Sequence, residues 1–174
     1  LGWGTLLHDV GKPPTYREAP DRIRFDGHVE AGAEMAEGIC RRLRFSNDET
    51  ERIAWLVRTH LVFKDVRAMR PARLRRFLSS PGMDEALAMH RADCLASHGI
   101  LDNHAFCLEQ LEAYGKERLR PPPLIDGHDL IAAGYAPGPI FQKILEAVET
   151  EQLDGCLEAK DAALAWVKRE FPRP

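Results

Sequence analysis

The apolar residues of this chain recur at steps of three and four positions, and this spacing constrains the fold more than any other feature. One stripe comprises Gly32, Met35, Ala36, Ile39, Cys40 and Leu43, and a second comprises Ile53, Leu56, Val57 and Leu61. Residues at such steps share one face of an α-helix. No segment sustains a two-residue alternation, and β-branched residues are sparse. We therefore predict an all-α fold.

Capping residues and helix breakers divide the chain into segments. Ser46 followed by Glu49 has the capping-box pattern of a helix start, and Asp126 is expected to cap a short helix. Pro71 is expected to begin a short basic helix. Residues 14–27 are polar, with Gly and Pro at their ends, and are expected to form a loop.

The prolines at 121–123 close a charged segment and predict a linker over residues 116–123. We therefore predict a helical domain over residues 1–115 and a small helical tail over residues 124–174. The 174 residues suffice for such a domain with its own hydrophobic core. Because Leu1 opens directly into apolar sequence, without an initiator methionine or a capping residue, we expect the chain to be a fragment of a longer protein.

Composition narrows the class of protein. A formal net charge of −3 gives no global sign of nucleic-acid binding, so only local basic clusters carry information on that point. The four cysteines are scattered without metal-type spacing, which is typical of reduced thiols in a cytoplasmic protein. No apolar run is long enough to cross a membrane, and we expect no membrane partner.

The stretch Leu6–Pro13 places His8 and Asp9 at the end of an apolar run that Gly11 and Pro13 stop. Burying an imidazole and a carboxylate together costs several kcal/mol unless they are paired, hydrogen-bonded or bound to a metal. By itself, a His-Asp doublet is more often structural or on the surface, so the other polar residues on apolar helix faces decide its meaning.

Three further residues make a metal site possible. His28 opens a predicted helix, His60 falls beside the second apolar stripe, and Asp93 lies on the apolar side of another predicted helix. Mixed imidazole and carboxylate ligands suit a divalent metal ion, which can activate water and polarise a phosphoryl group. Lys12 lies one turn past the doublet, where it could contact a phosphate.

Each of these residues also has a plainer interpretation. His60 could be a hydrogen-bonded core histidine, and His28 could simply begin a helix. Asp93 could pair with an arginine such as Arg91 or Arg75. The joint pattern favours a metal site because each residue lies on a separate helix that could converge on one point.

In this order the motifs resemble those of the HD-domain family of metal-dependent phosphohydrolases. The motifs are His8-Asp9, Phe25-x-Gly27-His28, Thr59-His60 and Arg91-Ala92-Asp93-x-x-Ala96. More narrowly, the chain resembles the C-terminal part of bacterial tRNA nucleotidyltransferases (CCA-adding enzymes) and related poly(A) polymerases. That resemblance also rests on Leu124-Ile125-Asp126-Gly127-His128-Asp129-Leu130-Ile131, Pro137-Gly138-Pro139 and Gln152-Leu153-Asp154-Gly155.

The resemblance implies an HD-domain helical bundle with a divalent metal ion (Mg, Mn, Ni or Fe) and a phosphate-ester or nucleotide substrate. The implied metal ligands are His8, Asp9, His28, His60 and Asp93. We predict catalytic roles for His8, Asp9 and Lys12. The family usually also draws a histidine from a helix upstream of the doublet, and the nucleotide-adding head domain of the tRNA nucleotidyltransferases has no counterpart in this sequence.

RNA, and tRNA in particular, is the expected macromolecular partner. Arg70, Arg73, Arg75 and Arg76 are predicted to contact RNA phosphates, and the alternative is a solvated basic face. Three hypotheses therefore stay open: a metal-dependent phosphohydrolase, a non-catalytic RNA-positioning module with a degenerate HD site, and an HD fold retained only for structure. The second doublet, His128-Asp129, is expected to lie in the first turn of a short helix, outside the site.

Overall fold

A computed structural model of the chain describes residues 1–172, apart from the side chain of residue 116. The α-helices are α1 (Gly2–Leu7), α2 (His28–Arg42), α3 (Asn47–Thr59), α4 (Pro71–Leu78), α5 (Met83–Ser97), α6 (Asp102–Leu119), α7 (Gly127–Ala132), α8 (Pro139–Leu153) and α9 (Lys160–Glu170). Short 3-10 helices span Pro13–Thr15 and Val62–Ala68. The all-α prediction is confirmed. Among these residues, no helix is long and apolar enough to cross a bilayer.

The segment predicted as a loop contains the only strands found in residues 1–172. β1 (Arg17–Glu18) and β2 (Ile23–Arg24) form an antiparallel hairpin, in which Arg17 is opposite Arg24. Each strand has only two residues, so the hairpin adds little to a fold that its helices determine.

The predicted capping box at Ser46 is present, and the predicted cap at Asp126 is part of a second one. The Ser46 hydroxyl accepts the backbone N–H of Glu49 at 3.2 Å, and the Glu49 carboxylate accepts the backbone N–H of Ser46 at 2.9 Å. Asp126 and Asp129 make the same reciprocal pair at the start of α7. These contacts satisfy N–H groups that the first turn of a helix leaves unpaired.

The chain packs into two compact units. The first comprises residues 1–68 and 80–112, and the second comprises residues 69–79 together with the chain from Ala113 onward. Packing therefore assigns α4 to the second unit, although it lies early in the sequence. Gly115 interrupts α6 with a φ of 62°, close to this change of unit. The functional division predicted at residues 115 and 123 stays a prediction.

In the first unit, α2 packs along α3, and α1 and α5 also contact α3. Its core includes Leu7, Ala33, Ala36, Cys40, Ile53 and Val57. Two residues of the apolar stripe lie outside this core: Met35 is 38% exposed and Leu43 is 48% exposed. The buried face of α2 instead runs through its smallest side chains, which lets the helix axes approach closely.

Gly11 marks the closest approach in this unit. A Cβ added at Gly11 would lie 2.1 Å from the His28 carbonyl oxygen and 2.5 Å from the Gly32 nitrogen. Any side chain at Gly11 would therefore push the chain after the His-Asp doublet away from the first turn of α2. Gly11 thus does more than end a helix, because it brings Asp9 next to His28.

In the second unit, hydrogen bonds join α4 to the C-terminal end of α8. The Asp154 carboxylate accepts the backbone N–H of Ala72 at 2.7 Å, and the Arg75 guanidinium donates to the Leu153 carbonyl at 2.7 Å. The unit has a core of its own, made of Ile125, Leu130, Tyr135, Ile144, Val148, Leu157, Ala163 and Val167.

Candidate metal centre

Three histidines of the first unit are held by the backbone in the same way. Nδ1 of His8 lies 2.7 Å from the Thr5 carbonyl oxygen, Nδ1 of His28 lies 2.7 Å from that of Phe25, and Nδ1 of His60 lies 2.6 Å from that of Val57. Because a carbonyl only accepts, each Nδ1 carries the hydrogen. The lone pair of each neutral ring is therefore on Nε2.

These Nε2 atoms converge on Asp9. One Asp9 oxygen lies 3.8 Å from Nε2 of His28 and 3.8 Å from Nε2 of His60, and the other lies 3.3 Å from Nε2 of His8. Possible ligand atoms of Asp9, His28 and His60 all lie within 4.8 Å of one another. The Asp93 carboxylate joins from α5, 3.5 Å from Nε2 of His8. We call these five residues the histidine–aspartate cluster.

Two of the nitrogens lack a protein partner. Nε2 of His28 and Nε2 of His60 are buried and, in the part of the chain that the structure describes, accept no hydrogen bond. A buried polar atom left in this state costs about 1–3 kcal/mol. A cation bound between these nitrogens and the Asp9 carboxylate would remove that cost, and nitrogen and oxygen ligands suit a divalent first-row metal. The residues therefore fit a metal ion.

The electrostatics of the cluster favour cation binding. Burial lowers the pKa of His60, which keeps the ring neutral with its Nε2 lone pair available. Burial alone would raise the pKa of Asp9, but the hydrogen bond from Lys12 and the nearby charge of His8 outweigh it and hold that pKa below its usual value. Asp9 is therefore an anion beside the neutral His60 ring.

The structure gives Lys12 a partner that sequence did not suggest. Its ammonium lies 2.5 Å from Asp9 Oδ2 and 5.7 Å from the centroid of the Phe25 ring. Lys12 thus orients the carboxylate, and the predicted phosphate contact stays a prediction. Asp93, for which an arginine partner was the plainer interpretation, pairs with His8.

The carbonyl groups that orient the histidines were not predicted from the sequence. They belong to Thr5, Phe25 and Val57, each three positions before its histidine. No side-chain pattern marks a carbonyl oxygen, so only the spacing relative to helix ends could have indicated them.

The four arginines predicted to contact RNA differ in their surroundings. Arg75 bonds the Leu153 carbonyl and lies over the Tyr114 ring at 5.0 Å. Arg76 makes a 2.7 Å ion pair with Glu149. Arg70 and Arg73 are exposed. Arg75 and Arg76 are therefore engaged by partners within the second unit, which makes Arg70 and Arg73 the better candidates for phosphate contacts.

Comparisons with known proteins place these observations in a family context. Residues 1–97 match the model of the HD domain family. The chain is 35% identical to an A-adding tRNA nucleotidyltransferase of Deinococcus radiodurans over 97% of its own length and 41% of that protein. It is 36% identical to a CC-adding tRNA nucleotidyltransferase of Thermus thermophilus over 93% of its own length and 38% of that protein.

A shorter match involves a different kind of enzyme. A bifunctional uridylyltransferase/uridylyl-removing enzyme of Bradyrhizobium sp. is 39% identical over 71 residues, which is 41% of this chain and 7% of that enzyme. The chain spans about two fifths of the tRNA nucleotidyltransferases that it matches. No solved structure matches it at a significant level.

Proposed function

Because the chain belongs to the HD domain family, we propose that the histidine–aspartate cluster binds a divalent metal ion and serves a metal-dependent phosphohydrolase activity. One observation carries this proposal: the buried Nε2 atoms of His28 and His60 face the Asp9 carboxylate without hydrogen-bond partners among residues 1–172. Since imidazole ligands outnumber carboxylates, we favour Mn, Fe or Ni over Mg.

Each residue has a defined role in this proposal. His8, His28 and His60 supply neutral nitrogen ligands whose orientation the backbone carbonyls maintain. Asp9 and Asp93 supply carboxylates. When bound, the metal would activate water and polarise the phosphoryl group of a phosphate ester. Lys12 holds Asp9 in place, and its side chain is 40% exposed. We propose that its ammonium also contacts a phosphate oxygen of the substrate.

Elemental analysis tests the metal site. The purified protein is equilibrated with Mn²⁺ or Ni²⁺ and freed of excess metal, in parallel with Asp9→Ala and with Asp26→Ala as a control. Asp26 is an exposed carboxylate that pairs with Arg17. We expect about one metal ion per chain in wild type and in Asp26→Ala, and close to none in Asp9→Ala. Equal metal content in all three proteins would refute the site.

Activity assays test the phosphohydrolase proposal separately. Metal-loaded protein is offered 2′,3′-cyclic nucleotides and phosphomonoesters, with Lys12→Gln as the comparison. We expect turnover by wild type that a chelator abolishes and that Lys12→Gln reduces about tenfold, since a charge-assisted hydrogen bond contributes about 1.5–3 kcal/mol. Metal binding without turnover would support the metal site and contradict the phosphohydrolase proposal.

The relatives favour a second function for the whole protein. Their matches cover 97% and 93% of the chain and so continue beyond the HD domain into the second unit. We propose that the longer protein adds nucleotides to tRNA and that this part helps to hold the RNA, with exposed Arg70 and Arg73 contacting phosphates. This role would stand even if the cluster were a degenerate HD site.

A tRNA gel-shift experiment at low and moderate salt tests RNA holding. We expect a salt-sensitive shift that weakens in Arg70→Ala/Arg73→Ala and persists in Arg22→Ala/Arg42→Ala, a control pair of exposed arginines from the first unit. The absence of any shift at low salt would contradict the proposal that this part of the protein binds RNA.

A further inference from the structure

The first unit contains a cavity lined by residues outside the histidine–aspartate cluster. Its volume is about 480 Å³. The Val62–Ala68 segment, the end of α5 and the start of α6 provide its walls. The polar residues among those that line it are Lys64, Arg67, His90, His98, Asp102 and Asn103. We call this cavity the basic pocket.

Arg67 is held in place before any ligand arrives. Its Nε–H donates to the Asn103 side-chain oxygen at 3.1 Å, and Nη2 donates to the Asp102 carbonyl at 2.9 Å. The guanidinium also lies over the Phe106 ring at 5.1 Å. Nη1 has no partner in the described part of the chain. A guanidinium already fixed in this way loses little further side-chain entropy when it binds an anion.

Lys64 adds a second positive charge to the pocket. Its side chain is exposed, and its ammonium has no ion-pair partner within residues 1–172. Asp102 supplies the only carboxylate among the described residues that line the pocket. Two permanent cations therefore face one carboxylate, and the pocket has a local excess of positive charge.

His98 offers a hydrogen-bond donor. Its Nδ1 accepts the backbone N–H of Ile100 at 3.0 Å, so the neutral ring carries its hydrogen on Nε2. This tautomer is the reverse of the one that the backbone selects for His8, His28 and His60. A lone pair on Nε2 suits a cation, whereas an N–H on Nε2 suits an anion. The two sites therefore favour ligands of opposite charge.

His90 adds a flat aromatic ring to the pocket. The ring stacks on the buried side chain of Phe63, with centroids 4.4 Å apart and an interplanar angle of 8°. It therefore has a fixed orientation. Cavities of about 300–1,000 Å³ hold small organic ligands, so the pocket has the size of a mononucleotide site rather than of a bare ion site.

We propose that the basic pocket binds a nucleotide through its phosphate group. Lys64 and Arg67 contact the phosphate oxygens, His98 donates a third hydrogen bond, and the His90 ring lies beside the remainder of the nucleotide. The phosphate belongs either to a free nucleotide or to one residue of an RNA strand. This inference requires no metal in the histidine–aspartate cluster and is independent of the phosphohydrolase proposal.

Calorimetric titration of chelator-treated protein tests the pocket. The probes are inorganic phosphate, 5′-AMP, adenosine and a short oligoadenylate. We expect 5′-AMP to bind at least tenfold more tightly than adenosine, and Lys64→Gln to weaken 5′-AMP binding about tenfold, as expected for loss of a charge-assisted contact. Lys143→Gln, at an exposed lysine of the second unit, should bind like wild type.

Nuclear magnetic resonance of the histidine side chains provides the structural readout. We expect the free protein to show His98 with hydrogen on Nε2, and 5′-AMP to shift that signal. His98→Gln identifies the signal by removing it. Binding that is the same in Lys64→Gln as in wild type, or adenosine binding as tight as 5′-AMP, would overturn the proposal.

The oligoadenylate distinguishes the two sources of phosphate. Tighter binding of oligoadenylate than of 5′-AMP, with the same dependence on Lys64, would assign the pocket to an RNA strand. Equal or weaker binding would assign it to a free nucleotide. If Lys64→Gln leaves the metal content unchanged while weakening 5′-AMP binding, the two sites are independent, as we infer.

Discussion

The two His-Asp doublets of this chain share their sequence and differ in everything that surrounds it. His8-Asp9 follows the C-terminal end of α1, where the His8 ring donates to a helix carbonyl and Asp9 meets three imidazoles. His128-Asp129 lies in the first turn of α7, where Asp129 accepts the backbone N–H of Asp126 at 3.1 Å and pairs with Lys160 at 2.5 Å.

The difference follows from the two ends of a helix. Carbonyl groups are left unpaired at the C-terminal end, and N–H groups are left unpaired at the N-terminal end. An imidazole at the first end can donate to a carbonyl and keep its other nitrogen for a metal, whereas a carboxylate at the second end serves as a cap. A His-Asp dipeptide therefore indicates a metal site only in the right position on a helix.

The largest expected difference between the doublets is their response to metal. At about 100 times its dissociation constant, a divalent ion should raise the free energy of unfolding of wild type by about 2.7 kcal/mol. We expect the same rise in Asp129→Asn and none in Asp9→Asn, because only Asp9 faces the histidine nitrogens. Urea unfolding with and without Mn²⁺ measures this, and an equal rise in Asp9→Asn would contradict the assignment.

The glycines near the two doublets provide the next comparison. A Cβ at Gly11 would overlap the backbone of α2, whereas a Cβ at Gly127 would meet only the Phe141 ring at 3.7 Å. We expect Gly11→Ala to lower the free energy of unfolding by about 2 kcal/mol, in the range for overpacking, and to reduce metal content. Gly127→Ala should change the free energy of unfolding by less than about 0.5 kcal/mol. Equal losses in urea unfolding would show that the close approach at Gly11 is unimportant.

A smaller effect is expected when the cap of the second doublet is removed. Asp129→Ala eliminates half of a capping box and the partner of Lys160. Because both contacts lie at the surface, we expect a smaller loss of stability than in Gly11→Ala, with unchanged metal content. Trp166, in the second unit, can report the unfolding by fluorescence. Loss of metal in this variant would mean that the second doublet contributes to the site after all.

The smallest expected effect is a difference in pH dependence without metal. The pKa of His60 is lowered by burial. The neutral ring therefore stabilises the fold above the unfolded-state pKa of about 6.5, and this stabilisation is lost as the pH falls toward the folded-state pKa. The pKa of Asp129 is lowered by its hydrogen bond with Lys160, so the stabilisation that Asp129 provides is lost only below about pH 3.8.

Urea unfolding at pH 7.5 and pH 5.5 measures the contribution of His60. We expect wild type to lose stability on acidification and His60→Gln to lose less. Some dependence should remain, because burial also lowers the pKa values of His90 and His104. An identical change in wild type and His60→Gln would contradict the proposed state of His60.

Local sequence determined the helices and their beginnings. The apolar spacing predicted an all-α fold, and the capping box at Ser46 and the cap at Asp126 were both confirmed. These features depend on residues within about four positions of one another, so a short stretch contains all the information they need. The family resemblance, now confirmed by the match over residues 1–97, supplied the five candidate ligands.

Only the tertiary structure decided the rest. It placed α4 with α8 by pairing Ala72 with Asp154, 82 positions away, and Arg75 with Leu153, 78 positions away. It also left Met35 exposed, set opposite tautomers at His60 and His98, and formed the basic pocket. The physical reason is that a ligand site or a buried face is made by groups from separate helices, and their distances exist only once the whole chain has packed.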